Sequence, residues 1–154
     1  MFRSTVLFFL LYLCPLAASA QVNARLIQTS HVADSLIVEF HLGTGVDSLE
    51  VPISSFQFEV VADSTLTFEG IALDYTLAGA SGWTARSNPA NGRVGGFSSS
   101  ADAINRSGVL VLLRFVVSDG CGEGQIELTN LSFNSSNPQP IPQKPSLALA
   151  TCPQ

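Results

Sequence analysis

The sequence predicts an all-β sandwich. Two observations carry that expectation. Past residue 20 the apolar residues alternate with polar ones or run in short blocks, without a helical period of 3.6. Gly, Asn, Asp, Ser and Pro break the pattern at short intervals, as turns between short strands require. Only 12% of the chain is charged, which suits a β protein with a mildly polar surface.

The elements follow in order. Residues 1–20 read as a signal peptide rather than as part of the fold. Arg3 is the sole charge there, Val6 to Leu13 is an apolar run too short to span a bilayer, and Ala18-Ser19-Ala20 offers small residues before a cut at Gln21. Cys14 is preceded by Leu11-Tyr12-Leu13, not by the small residue that a lipoprotein cut needs. Val22 to Ile27 is the first candidate strand. Leu36 to Leu42 is the second, with Leu36, Val38, Phe40 and Leu42 on one face and His41 opposite. Residues 55–61 and 65–72 form two more, in which Phe56, Phe58, Val60, Leu66 and Phe68 point inward while Ser55, Gln57 and Glu59 point outward. Trp83 to Arg86 is a short strand. Asn88-Pro-Ala-Asn-Gly92 is a turn, and Arg93 to Ser98 leaves it as a strand. Val109 to Val117, VLVLLRFVV, is apolar enough for a central strand buried on both faces. Asp119 to Gly124 is a glycine-rich turn, and Gln125 to Phe133 is the last clear strand. Four prolines between Asn134 and Pro145 end the pattern, so residues 137–154 read as a Pro-rich tail and residues 21–136 as one domain.

Charge and cysteines bound the function. The chain carries 7 basic and 12 acidic residues, and Arg3 is lost with the leader. An acidic domain without a basic patch argues against nucleic acid and against anionic membrane surfaces, and no second apolar stretch would hold it in a membrane. The expected location is secreted and extracellular, or periplasmic. Cys121 and Cys152 remain after cleavage, and in a secreted chain they are expected to form one disulfide. Closing a loop of about 30 residues would stabilise by roughly 3 kcal/mol in the chain-entropy model. It would pin the tail to the glycine-rich turn.

No catalytic set emerges. His31 and His41 have no neighbouring nucleophile motif, and the His and Cys residues are too scattered for a zinc site. Glu39, Glu59, Glu69 and Asp74 are read as solvated surface rather than a glycosidase pair. Asp34, Asp47, Asp63 and Asp74 sit near strand ends but lack Asp-x-Asp spacing, and are read as turn residues rather than calcium ligands. No metal, cofactor or catalytic residue is expected. Asn105, Asn130 and Asn134 each begin an N-glycosylation pattern. Trp83, with Tyr75 nearby, is the one candidate platform for stacking a sugar ring.

Three blocks, taken in order, resemble the cohesin family, the secreted β-sandwich modules of cellulosomal scaffoldins. They are ISSFQFEVVADSTLTF from Ile53, NGRVGGFSSS from Asn91 and SGVLVLLRFVV from Ser107. The resemblance spans roughly residues 22–136. Asp63-Ser64 replaces the family's usual Asp-Pro, and the cysteine pair and Pro-rich tail are not family features. The resemblance implies a jelly-roll sandwich of about nine strands, of which one sheet face docks a calcium-binding dockerin. On the matching positions that face would include Ser55, Gln57, Gly96 and Ser98. Two alternatives from other classes stand beside this one: a carbohydrate-binding module holding polysaccharide through Trp83 and Tyr75, and a stand-alone structural surface protein.

Overall fold

The computed structural model describes residues 22–43, 48–100, 102–118, 122–134, 141 and 143–151. The leader, Cys121, Cys152 and most of the Pro-rich stretch lie outside the described residues. The chain is built from antiparallel strands, as the alternation predicts. They are β1 (Ala24–Val32), β2 (Ser35–Leu42), β3 (Ser48–Ile53), β4 (Ser55–Ala62), β5 (Leu66–Ala72), β6 (Thr84–Asn88), β7 (Arg93–Phe97), β8 (Ile104–Arg106), β9 (Gly108–Val117), β10 (Gly122–Phe133) and β11 (Ser146–Thr151). A four-stranded sheet runs β1-β2-β9-β5, a five-stranded sheet runs β11-β10-β4-β7-β6, and β3 pairs with β8 as a separate ribbon. Strands that follow one another in sequence repeatedly change sheets, as β4 to β5 and β9 to β10 do. The two sheets are therefore threaded through each other rather than stacked as independent hairpins.

Three local outcomes differ from the sequence reading. The described strands number eleven rather than about nine: β3, β8 and β11 lie outside the candidate strands, although Leu49, Val51 and Ile53 alternate with Ser48, Glu50 and Pro52 in β3. A single helical turn, α1 (Leu77–Ala80), stands where no helix was expected. Thr76 caps it: its Oγ1 accepts from Gly79 N at 3.1 Å and donates to Leu73 O at 2.7 Å, so a buried hydroxyl is satisfied twice. Finally, Ser146–Thr151 is not tail but edge strand. It pairs with β10 from Glu127↔Ser146 to Gly122↔Thr151, and Leu149 enters the core.

The core lies between the sheets and is rich in phenylalanine. Phe40 of β2 meets Phe58 of β4 edge-on at 5.2 Å, and stacks on Phe133 of β10 at 6.5 Å. Both pairs bridge the two sheets. Phe40, Phe58, Phe115 and Phe133 are buried, as are Leu110, Leu113, Ile126 and Leu128. Each such side chain stabilises the fold by about 1.5–3 kcal/mol through burial. β9 is central in its sheet, but it is not buried on both faces. Leu113, Phe115 and Val117 point inward, while Leu112 and Val116 are half-buried and Arg114 is exposed. The β6-β7 turn closes at Gly92, whose φ of +68° favours glycine. A Cβ there would run into the carbonyl oxygen of Val60, whose N–H donates to Gly92 O at 2.9 Å.

Candidate binding face

The outer face of the five-stranded sheet is organised in three rows across β10, β4, β7 and β6. The middle row is Ser132, Gln57, Gly95 and Arg86, set abreast by their registers. On one side lies the row Thr129, Glu59, Arg93 and Asn88. On the other, Ser55, Phe97 and Thr84 align. Two adjoining shallow grooves of about 520 and 660 Å³ run over these rows and share Gln57, Arg86 and Gly95. Gly95 has no side chain, so it forms a notch between Gln57 and Arg86. Phe97 is 52% exposed at one end of the face, and Val61 is 51% exposed at the opposite end of β4.

Glu59 is the best-anchored polar group here. Its Oε1 accepts from Arg93 Nε at 2.9 Å and its Oε2 from Asn130 Nδ2 at 2.8 Å. The hydrogen bond from the Arg93 guanidinium, followed by that from Asn130, holds the carboxyl below the usual range. Asn130 reaches Glu59 because of a β-bulge. The β10-β4 register shifts between Thr129↔Glu59 and Ser132↔Gln57, and Asn130 takes a φ of +51°. Asparagine tolerates that region better than most residues. Past the end of β10, Asn134 ties the chain to the segment before β4. Its Oδ1 accepts from Ser54 N at 2.7 Å and Ser54 Oγ at 3.0 Å, and its Nδ2 donates to Pro52 O at 2.9 Å.

The structure brings Ser55 and Gln57 onto this face, as the alternation predicts. It corrects Gly96. That residue points into the core opposite Phe56, and a Cβ on it would lie 2.6 Å from the Phe56 ring. The outward residues of β7 are Arg93, Gly95 and Phe97. Ser98 lies just past the strand, where its N–H donates to Ser54 O at 3.1 Å and its hydroxyl sits 3.5 Å from Ser100 Oγ. Sequence reasoning missed Arg86, Gly95 and Phe97. The charged Arg93 beside the apolar Val94 was the available signal, because it fixes which parity of β7 faces water.

The sugar-stacking pair is not formed. Trp83 is 5% exposed, stacks on Phe56 at 5.9 Å and donates its Nε1–H to Asp102 O at 3.2 Å. Its indole faces are core surfaces. Tyr75 is fully exposed, with a φ of +58°, in the crossover before α1. The carboxylates are dispersed between the two sheets. Glu39 meets His41 at 2.6 Å on β2, and Glu69 lies 3.9 Å from Arg114. Among the described residues, no three His, Cys, Asp or Glu side chains gather where they could hold a metal ion. Asp63 serves a turn: its Oδ2 accepts from Gln125 N at 2.7 Å, and its carbonyl accepts from Leu66 N at 2.9 Å.

No protein-family model matches the chain, and no curated protein matches it by sequence. Its fold does match solved structures. One is the third cohesin ScaC of Acetivibrio cellulolyticus, solved in complex with the ScaB dockerin. It is 19% identical, with a TM-score of 0.60 over 85% of this chain and 100% of that one. The cohesin module of a family 33 glycoside hydrolase from Clostridium perfringens is 12% identical, with a TM-score of 0.58 over 82% and 95%. A non-cellulosomal cohesin from the archaeon Archaeoglobus fulgidus is 12% identical, with a TM-score of 0.52 over 86% and 93%. The fold of this chain is therefore cohesin-like.

Proposed function

We propose that this protein is an exported, non-catalytic binding module that docks a protein partner of dockerin type on the outer face of its five-stranded sheet. One observation carries the reading: the face over β10, β4, β7 and β6 is open and grooved, with Gln57 and Gly95 in its middle row, Ser55 in the row beside them, and exposed Phe97 and Val61 towards its ends. A docking surface needs little chemistry but a broad contact, on the order of 1,600 Å² in total for a stable pair. Sheet hydrogen-bonding groups are already used within the ladder, so contact falls to the side chains. Gly95 and Ser132 in the middle row let a partner approach closely, and Phe97 and Val61 supply apolar surface to bury. Support comes from the cohesin of Acetivibrio cellulolyticus solved with a dockerin. The leader-like residues 1–20 support export, and a link to polysaccharide breakdown would run through the partner.

The test is capture from the extracellular fluid of the source organism by the immobilised protein, with and without a calcium chelator, beside a Gly95→Val variant. Recovery of a dockerin-bearing protein by the parent, lost with chelator and weakened by the substitution, is the expected result. Retention of the protein on insoluble polysaccharide, with no protein captured, would overturn the reading.

A further inference from the structure

We propose that the partner seats a carboxylate on Arg86, in the notch over Gly95, beside an apolar side chain that covers Phe97. This deepens the docking reading and rests on it.

The notch is electrically unlike the rest of the chain. The protein as a whole carries a formal charge of −5. The two grooves on its candidate face are lined by two guanidinium groups, on Arg86 and Arg93, against the carboxylate of Glu59, while Glu127 further along the face is paired with Lys144. Both Glu59 oxygens are engaged, one by Arg93 and the other by Asn130. Glu59 thus neutralises Arg93, and neither of its oxygens contacts Arg86. The Arg86 side chain is exposed and makes no hydrogen bond or ion pair among the described residues. An uncompensated guanidinium at the middle of a face is complementary to an incoming acid. Its planar fork of donors suits a bidentate carboxylate.

Geometry supplies room for that acid. Arg86 and Gln57 flank Gly95 in register, so a carboxylate lowered towards Gly95 meets the guanidinium on one side and the Gln57 amide on the other. Two residues along the same strands, Thr84↔Phe97↔Ser55 forms the next outward row. Two strand residues span about 7 Å. A protein segment meets that spacing when an acidic and an apolar side chain are neighbours on one helix face or two apart on a strand. The occupant is therefore a protein segment with an acidic residue beside an apolar one.

A displayed library of random peptides, panned on the protein, tests this directly. Peptides retained on the Gly95→Val variant are subtracted. That variant is chosen because Gly95 lies on the outward row and a Cβ there meets only Phe56 O, at 3.7 Å. The enriched peptides are expected to share an Asp or Glu beside a Leu, Ile or Phe. Calorimetry should show binding weakened about tenfold or more by Arg86→Gln, in line with a charge-assisted hydrogen bond. Arg86→Glu should restore binding to a peptide whose acid has been changed to Lys. Peptides that need Gly95 but show no acidic preference, and that bind Arg86→Gln as well as the parent, would overturn the acidic-partner inference and leave docking at this face standing. Peptides indifferent to Gly95→Val, the absence of any enrichment, or polygalacturonate binding with no peptide enriched would overturn both.

Discussion

Replacing Gly96 by alanine should destabilise the protein, while the same change at the adjacent Gly95 should not. The ideal Cβ at Gly96 falls 2.6 Å from both Cε1 and Cζ of Phe56 and 3.1 Å from Ala85 Cβ. Carbon atoms prefer to sit about 3.5–4.0 Å apart, so the ring would have to yield by about 1 Å. It has little room to do so. Phe56 is 3% exposed, with Phe58 stacked at 5.9 Å and Trp83 also at 5.9 Å. Overpacking of this kind costs about 1–3 kcal/mol. The restricted unfolded chain returns about 0.4–1 kcal/mol to any compatible Gly→Ala change. Gly96→Ala is therefore expected to lose about 1–2 kcal/mol, and Gly95→Ala, whose Cβ meets only Phe56 O at 3.7 Å, to be neutral or slightly more stable. Urea unfolding followed through the fluorescence of Trp83, the single tryptophan, reads the difference. With a slope of about 1–3 kcal/mol per molar urea, the Gly96→Ala midpoint should fall by roughly 0.5–1 M at unchanged slope. A stable Gly96→Ala beside a destabilised Gly95→Ala would mean that β7 presents its other face to the core.

Further outcomes follow from the same contacts. Asn134→Ala removes the two bonds to Ser54 and the one to Pro52, and should cost about 1–2 kcal/mol in the same unfolding assay. Glu59 has a lowered folded pKa, so its stabilisation is present above the unfolded value and lost as pH falls through the folded one. The stability gap between the parent and Glu59→Gln should thus be widest near neutrality and close in acid; a gap that persists in acid would refute the Arg93 and Asn130 contacts as its cause. The described β10-β11 ladder stops at Gly122↔Thr151, and Cys121 and Cys152 are the next residues on either side. A disulfide between these two cysteines is the expectation from the sequence. Intact mass under denaturing conditions should therefore rise by two hydrogens on reduction, and no change would remove the bridge.

Much of the sandwich was legible because burial on one face writes itself into every second residue. Phe56, Phe58 and Val60 in β4, and Leu36, Val38, Phe40 and Leu42 in β2, all lie inward as their alternation requires. Legibility failed where that signal is weak or contradicted. In β7 a glycine pair separates Val94 from Phe97, and the one large apolar residue after it faces water, so parity is anchored by Arg93 and Val94 alone. β11 follows a run of prolines and is held by its ladder to β10 and by Leu149, contacts made with distant sequence. Trp83 reads as a candidate platform in isolation, but a neighbour 27 positions earlier, Phe56, takes one of its faces. The bulge at Asn130 has no local signature. It exists because β10 must match β4, and its product, the clamp on Glu59, could not be seen before the strands were paired.

The threading of the two sheets also bears on how the chain reaches its native state. Val38 pairs with Leu113, and Val60 with Leu128, so the central ladders join residues far apart in sequence. Such ladders must close long loops before any contact repays the lost freedom, which places folding in the millisecond-to-second range rather than the microsecond range. A topology whose strands find their partners late leaves the apolar faces of its strands uncovered for that interval, open to chaperones or to self-association before the sheets close.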